Sequence, residues 1–230
     1  MKKPVTDSKK FVPALGFHRL TPLYDWVAGC AGYGLRRWYT LTMQAQLANE
    51  QRVLDLGSGT GSLAILIKQH FPGIEISALD CDPKILSLAS RKAKQAQTGI
   101  HFVRAFAERL PYPDNHFDRI LSSLLFHHLT QDSKRRAAAE MLRVLKPDGQ
   151  VHVMDWGRAA NPVMRCLFFP VQLIDGFGNT RDNVAGRLPE FFEQAGFCEV
   201  AQQQVFNTIF GTLAFYRAAK RADSGLSLLL

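Results

Sequence analysis

Val53-Leu54-Asp55-Leu56-Gly57-Ser58-Gly59-Thr60-Gly61 is the stretch that decides the fold. Its apolar first half predicts a buried β-strand, and its three alternating glycines predict a sharp turn before a helix over 62–70. Glycine is needed where the backbone turns sharply or where a ligand must approach without meeting a Cβ. A strand, a glycine loop and a helix in this order indicate a ligand site at the carboxyl end of a parallel strand.

An acidic residue ends the next predicted strand. Residues 74–79 form an apolar run, and Asp80 follows it, 19 residues after Gly61. A carboxylate at the tip of the neighbouring parallel strand can accept hydrogen bonds from both hydroxyls of a ribose. The two features together predict a nucleoside cofactor.

The spacing of the glycines separates two classes of cofactor. Dinucleotide-binding loops have the form G-x-G-x-x-G, with a helix N-terminus aimed at a pyrophosphate. This loop has the form G-x-G-x-G, and Asp55 stands two residues ahead of its first glycine. A carboxylate there would repel phosphate but suits an ammonium group. The pattern D-x-G-x-G-x-G resembles the first motif of the class I S-adenosylmethionine-dependent methyltransferases.

The resemblance implies S-adenosyl-L-methionine as the cofactor and gives roles to residues around it. Asp55 is expected to help hold the amino end of the methionine moiety, the glycines to let the backbone pass beneath the cofactor, and Asp80 to bind the ribose. Two structural alternatives stay open: Asp55 could cap the following turn, and Asp80 could cap the helix near Pro83. The predicted cofactor-binding residues are Asp55, Gly57, Ser58, Gly59, Gly61, Asp80, Cys81, Ala107, Glu108, Ser122 and Tyr24. A small apolar filler is the alternative for Cys81, and a packed lid aromatic is the alternative for Tyr24.

A second motif covers residues 105–118 and resembles the family form G-D-A-E-x-L-P-F-x-D-x-x-F-D. The aspartate that commonly accepts a hydrogen bond from the adenine amino group is replaced by Phe106. A phenyl ring cannot accept that bond but can stack on a purine. We therefore expect adenine to depend on backbone groups around Ala107 and Glu108.

A histidine pair follows the strand that ends at Ser122 and Ser123. We predict His127 as the candidate general base toward a hydroxyl or an enol carbon of the acceptor. In the alternative interpretation, His127 and His128 only pack and cap. No metal-binding constellation is visible in the sequence, so no metal is expected.

The alternation of strand and helix signals predicts an α/β fold. Strands are expected near 52–56, 75–80, 100–104, 118–123, 150–155, 197–206 and 211–217, and helices near 61–70, 83–96, 131–145 and 184–195. The resemblance implies a Rossmann-like, seven-stranded, mostly parallel sheet with an antiparallel last strand and helices on both faces. We expect a basic, partly disordered lead over 1–19 and one methyltransferase domain over 20–230. Within that domain, 20–48 would form a helical lid and 158–183 a lid or substrate insert.

Composition limits the class of protein. The 230 residues are 47% hydrophobic and 21% charged, as in a soluble globular protein, and four scattered cysteines suit a reducing cytoplasm. No run approaches the roughly 18 apolar residues of a membrane span. The net charge of +8 could attract an anionic membrane face or nucleic acid, or could reflect solvated helix faces. No nucleic-acid-binding module is present, so nucleic acid is not expected as a partner.

Segments before and after the glycine loop indicate one branch of the family. Residues 20–25 and 34–38, together with 142–150 and Asp155-Trp156, resemble the quinone C-methyltransferases of ubiquinone and menaquinone synthesis (the methyltransferase type 11 branch). The resemblance implies methyl transfer to a small lipophilic or aromatic acceptor, quinone-like or phenolic. Methylation of an aminophospholipid, a non-catalytic cofactor- or RNA-binding protein and a nicotinamide-dependent dehydrogenase are the alternatives. The dehydrogenase fits the loop spacing and Asp55 poorly, and the sequence does not give the oligomeric state.

Overall fold

The computed structural model describes residues 45–222. The predictions for the basic lead, for most of the helical lid and for Tyr24 lie outside the described residues. Within them, no helix is both long and apolar enough to cross a membrane.

A seven-stranded sheet organises the described part of the chain. Its strands are β1 (Arg52–Leu56), β2 (Glu75–Asp80), β3 (His101–Arg104), β4 (Phe117–Ser123), β5 (Leu145–Trp156), β6 (Cys198–Thr208) and β7 (Gly211–Ala219). The strand order is β3-β2-β1-β4-β5-β7-β6. Strands β1 to β5 are mutually parallel, and β7 runs antiparallel to both of its neighbours. This arrangement confirms the predicted Rossmann-like fold class.

Helices connect the strands. They are α1 (Ser62–His70), α2 (Pro83–Gln95), α3 (Gln131–Val144), α4 (Pro162–Leu167), α5 (Phe169–Asp175), α6 (Phe177–Val184) and α7 (Leu188–Ala195), with a short 3₁₀ helix over Phe126–His128. The helix expected near 184–195 begins later, as α7 at Leu188, because the residues up to Val184 belong to α6. Gly186 lies between them with φ 73°, a left-handed conformation that interrupts a helix.

The start of α2 decides one open alternative. Asp82 is the N-cap residue, and its side chain accepts a hydrogen bond from the Lys84 N–H at 2.8 Å, while Pro83 occupies the first helical turn. Asp80 is therefore not the capping residue of this helix.

Strand β1 is buried on both faces of the sheet. Leu54 and Leu56 pack into a core with α3 and α7, and Val53 packs into a second core with α1. All three side chains are fully buried. Because alternate side chains of a strand point to opposite faces, β1 is fixed rigidly between two layers of helices. The glycine loop therefore begins at the end of a strand that is held rigidly in place.

Candidate functional site

Two glycines of the loop after β1 adopt conformations and contacts that exclude a side chain. Gly57 has φ 74°, and a Cβ there would lie 3.0 Å from the side chain of Leu125. Gly61 also has φ 74°, and its Cβ would lie 3.1 Å from the Cβ of Ala89 on α2. The first glycine leaves room for the Leu125 side chain against the loop, and the last lets α1 pack closely on its neighbours.

Hydrogen bonds attach this loop to the end of β2. The N–H groups of Gly57 and Ser58 both donate to the carbonyl of Leu79, at 2.8 and 2.9 Å. The Gly59 N–H donates to Asp80 Oδ2 at 3.0 Å, and the Asp82 N–H donates to Asp80 Oδ1 at 3.0 Å. The Asp80 carboxylate is thereby held in one orientation at the strand tip.

A pocket of about 350 Å³ opens beside this loop. It lies at the carboxyl ends of β1, β2 and β4, where the chain changes direction from one half of the sheet to the other. Open α/β sheets bind their ligands at this topological switch point. Its wall is formed by Leu56, Gly57, Gly59, Leu79, Asp80, Cys81, Asp82, Ile85, Ala105, Phe106, Ala107, Glu108, Ser123, Leu124, Leu125, His128, Leu129, Thr130, Ser133, Arg136 and Asn179.

The wall contains about half of the residues predicted to bind the cofactor. The structure brings together there Gly57, Gly59, Asp80, Cys81, Ala107 and Glu108. It places outside the wall Asp55, Ser58, Gly61, Ser122 and the predicted base His127. The individual binding roles stay predictions.

Two acidic groups give this end of the pocket its electrostatic character. Asp55 is buried, and its burial together with the nearby Asp80 carboxylate raises its pKa to about 7, against a hydrogen bond from the Ala64 N–H. Its Oδ2 atom has no hydrogen-bond partner among residues 45–222. Burial also raises the pKa of Asp80, although backbone hydrogen bonds from Asp82, Gly59 and Cys81 act in the opposite direction. A cationic ligand would lower the free-energy cost of keeping these buried carboxylates ionised, whereas a pyrophosphate would raise that cost.

The two serines at the end of β4 have different surroundings. Ser122 is fully buried, and its hydroxyl donates to the Leu56 carbonyl at 2.9 Å. Ser123, the next residue, contributes to the pocket wall. Since neighbouring side chains of a strand alternate in direction, Ser123 and not the predicted Ser122 faces the pocket.

Cys81 is kept in its neutral thiol form. Burial raises the pKa of its thiol to about 12, and the Asp80 carboxylate acts in the same direction. It contributes a small, weakly polar surface to the pocket and is not a nucleophile at neutral pH.

The rest of the pocket wall combines apolar and polar side chains. Phe106, which replaces the usual adenine-binding aspartate, is part of the wall, as are Leu125 and Leu129. Its polar groups include those of Thr130, Ser133, Arg136 and Asn179. A flat, mostly apolar molecule with a few oxygen atoms fits this lining.

His127 lies behind the pocket and faces two carboxylates. Its Nδ1 is 2.8 Å from Asp155 Oδ1, and its Nε2 is 3.6 Å from Asp175 Oδ2. Burial alone would lower the pKa of His127, but Asp155 and Asp175 raise it. Its role as a general base stays a prediction, because both ring nitrogens face protein carboxylates and the ring is absent from the pocket wall.

Asp155, at the end of β5, organises this region. It accepts hydrogen bonds from the N–H groups of Phe126 and Trp156, both at 2.7 Å, and from Asn183 Nδ2 at 3.1 Å. The sequence analysis used Asp155 only as part of a resemblance. Its position at the carboxyl end of a parallel strand, at the same edge as Asp80, is the signal that could have marked it.

His128 and Asp175 form the side of this cluster nearest the pocket. His128 Nδ1 is 3.4 Å from Asp175 Oδ1, and the rings of His127 and His128 have centroids 4.0 Å apart. Burial lowers the pKa of His128 well below its usual range, and neighbouring His127 adds to the effect. Burial raises the pKa of Asp175. The sequence analysis missed Asp175, which lies in the insert.

Comparison with known proteins identifies similar sequences over this region. A family model described as a methyltransferase domain matches residues 53–149. Demethylmenaquinone methyltransferase of Thermus thermophilus is 33% identical over 61% of this chain and 64% of its own length. The ubiquinone/menaquinone biosynthesis C-methyltransferase UbiE of Shewanella pealeana is 31% identical over 72% of this chain and 68% of its own length. The chain thus spans slightly less than two thirds of the Thermus enzyme.

Among solved structures, the fold is similar to that of phosphoethanolamine N-methyltransferase 2 of Haemonchus contortus. That protein was crystallised with phosphomonomethylethanolamine and S-adenosylhomocysteine. The TM-score is 0.73 at 15% identity, over 96% of this chain and 62% of the other. At this identity the likeness concerns the fold alone.

Proposed function

Because this chain belongs to the class I S-adenosylmethionine-dependent methyltransferase family, we propose that it transfers a methyl group from S-adenosyl-L-methionine to a small, quinone-like acceptor. The observation that carries the proposal is the pocket at the switch point of the sheet. It brings the glycine loop and the oriented Asp80 carboxylate together with a largely apolar lining.

The chain supplies the groups that such a cofactor needs. Asp80 would accept hydrogen bonds from the ribose hydroxyls, and the backbone at Gly57 and Gly59 would lie along the cofactor. Asp55 would favour the cationic methionine end through its charge. Phe106 would stack on adenine, whose amino group would depend on backbone groups near Ala107 and Glu108.

The protein's contribution to the reaction would be orientation and exclusion of water. S-adenosyl-L-methionine, when bound, supplies a methyl group on a cationic sulfur that a nucleophilic carbon or oxygen can attack. The apolar wall of Leu124, Leu125 and Leu129 would hold a flat acceptor in line and keep water out. Little covalent chemistry is required of the side chains themselves.

The acceptor class follows from the pocket lining and from the relatives. Leu124, Leu125 and Leu129 favour a flat apolar ring, and the names of the Thermus and Shewanella relatives refer to menaquinone and ubiquinone. An aminophospholipid acceptor would need a cation to hold its phosphate, but Arg136, which lies in the described wall, is already paired with Asp132. We therefore favour the quinone-like acceptor.

We also propose that the protein associates peripherally with an anionic membrane, where a lipid-borne quinone would be found. The insert that forms α4, α5 and α6 exposes large apolar side chains to solvent, namely Val163, Phe169, Leu173, Ile174 and Phe177. A surface of this kind, in a protein with a net charge of +8, suits an anionic lipid interface. The same insert is the proposed lid over the acceptor.

Calorimetric titration with S-adenosyl-L-methionine and with NADH tests the proposed cofactor. We expect micromolar binding of the first and none of the second. Asp80→Asn should weaken binding about 10- to 100-fold, since one carboxylate oxygen becomes a donor. The control is Asp148→Asn, at an exposed position near the start of β5 with φ 58°. Folded protein that binds NADH, or that binds neither ligand, would overturn the proposal.

A further inference from the structure

We propose that His127, His128 and Asp175 form a binding site for a divalent transition-metal ion beside the pocket. One candidate ligand atom from each residue lies within 4.8 Å of the other two. His127 Nε2 and His128 Nδ1 lie 3.6 and 3.4 Å from the two oxygens of Asp175. These distances are too long for good hydrogen bonds. They are close to the roughly 3.3 Å that separates two atoms bonded to one tetrahedral ion at about 2.0–2.1 Å.

The surroundings of His127 have the form of a metal-ligand second shell. Its Nδ1 is hydrogen-bonded to Asp155 at 2.8 Å, which leaves Nε2 as the nitrogen directed at Asp175. Metal-bound histidines usually donate their other ring N–H to a carboxylate, which fixes the ring and makes it a better ligand. Asp155 is itself held by two backbone N–H groups and by Asn183.

An unsatisfied buried atom gives an independent indication of a ligand. His128 Nδ1 is buried and has no hydrogen-bond partner within the described part of the chain. A buried polar atom without a partner lowers the stability of the folded protein. An ion between His128 and Asp175 would satisfy this nitrogen and would also balance the charge of a carboxylate whose side chain is only 9% exposed.

The donor set selects the class of ion. Two imidazole nitrogens and one carboxylate suit Zn²⁺, Fe²⁺, Co²⁺ or Ni²⁺ better than Mg²⁺ or Ca²⁺, which prefer oxygen ligands. Because three protein ligands leave a coordination position open, the ion could accept one more. His128 is part of the pocket wall. If the proposed function holds, on which this step rests, a hydroxyl of a reduced quinone is a suitable fourth ligand, and coordination would lower its pKa.

Zinc binding to the full-length protein tests the site. Protein freed of metal by a chelator is titrated with Zn²⁺ by calorimetry, and with Co²⁺ by visible absorption. We expect one equivalent bound, with d–d bands for Co²⁺. His128→Asn and Asp175→Asn should each weaken Zn²⁺ binding at least 10-fold. The control is His101→Asn, an exposed histidine on β3, which should bind like the unaltered protein.

Circular dichroism checks that each variant is folded, and S-adenosyl-L-methionine binding tests the proposed function separately. If Asp175→Asn does not fold, His128→Asn decides, since its side chain is 23% exposed. Folded, cofactor-binding protein that takes up no stoichiometric Zn²⁺ would overturn the metal site and leave the proposed function standing. Uptake equal in all variants would also overturn it. Zinc uptake without cofactor binding would support the site and contradict the proposed function instead.

Discussion

Asp80 combines a structural and a proposed binding role in one side chain. Its two oxygens accept hydrogen bonds from Gly59 and Asp82, so the carboxylate ties the glycine loop to the first turn of α2. Each oxygen has a further lone pair for a ribose hydroxyl. A substitution here is therefore expected to affect the shape of the loop as well as the affinity for the cofactor.

Asp55 gives a pH-dependent prediction for the ligand-free protein. Its pKa is about 7 in the folded protein, whereas the ordinary pKa of an aspartate, which applies to the unfolded chain, is 3.8. The folded state therefore binds the proton more tightly, and stability is lost as pH rises from about 4 through 7. Asp55→Asn removes this loss, so its free energy of unfolding, relative to that of the unaltered protein, should rise by about 2.6 kcal/mol from pH 5 to pH 8. Urea denaturation at the two pH values measures it.

The control for this prediction is Asp148→Asn, which replaces an exposed carboxylate. Its stability should follow that of the unaltered protein at both pH values. Parallel pH dependence of Asp55→Asn and the unaltered protein would show that Asp55 is not the group responsible. Asp55→Asn is also expected to weaken cofactor binding, since it removes the charge that favours the methionine ammonium.

Among individual residues, those that belong to one continuous motif could be predicted from the sequence. The glycines and Asp80 follow predicted strands directly, so their meeting at one sheet edge was foreseeable. The cluster of His127, Asp155 and Asp175 was not, because Asp175 reaches it only through the fold of the insert. Periodicity reports which face of an element is apolar, but not where an insert returns to the sheet.

Helix α3 is joined to α6 by a buried lysine. Lys134 is fully buried, and its Nζ donates to the Asn179 carbonyl and, at 3.2 Å, to Asp182 Oδ2. Asp182 also pairs with Arg187. A buried ion pair adds little net stability, but removing one partner leaves the other poorly compensated. The link holds the insert against α3, beside the pocket.

We predict that Lys134→Met lowers the free energy of unfolding by about 2–4 kcal/mol. The Asn179 carbonyl loses its donor, and Asp182 keeps only Arg187 as a charged partner among the contacts described here. Chemical denaturation measures the change. Arg135→Met, at an exposed position on the same helix, is the control and should change stability by less than about 0.5 kcal/mol. Equal stability of the two variants would contradict this account of the link.

Elements with a clear hydrophobic period were predicted to within a few residues. Strands β1 and β2 and helices α1, α2 and α3 have nearly the expected bounds. Strand β5 begins earlier than expected, at Leu145, where an irregular register with β4 lets Leu145 pair with Phe117. Pairing of this kind depends on the neighbouring strand and is not visible in one segment of sequence.

The whole molecule combines a basic charge with an apolar surface on the insert. We predict that it co-sediments with vesicles containing anionic lipid and not with neutral vesicles. Leu173→Ser should reduce the bound fraction several-fold, since burying a leucine side chain is worth about 1.5–3 kcal/mol. Val205→Ser, at an exposed apolar position on β6 outside the insert, is the control. Equal reduction by both variants, or no binding to anionic vesicles, would contradict the membrane proposal.

The measurement that tests the central claim most directly is methyl transfer to a reduced quinone. Purified protein is incubated with S-adenosyl-L-methionine carrying a labelled methyl group and with a short-chain demethylated benzoquinol or naphthoquinol. We predict label in the quinol, formation of S-adenosylhomocysteine in equal amount, and loss of both in Asp80→Asn but not in Asp148→Asn. Cofactor-binding protein that leaves a panel of reduced quinones and phenols unlabelled would contradict the claim.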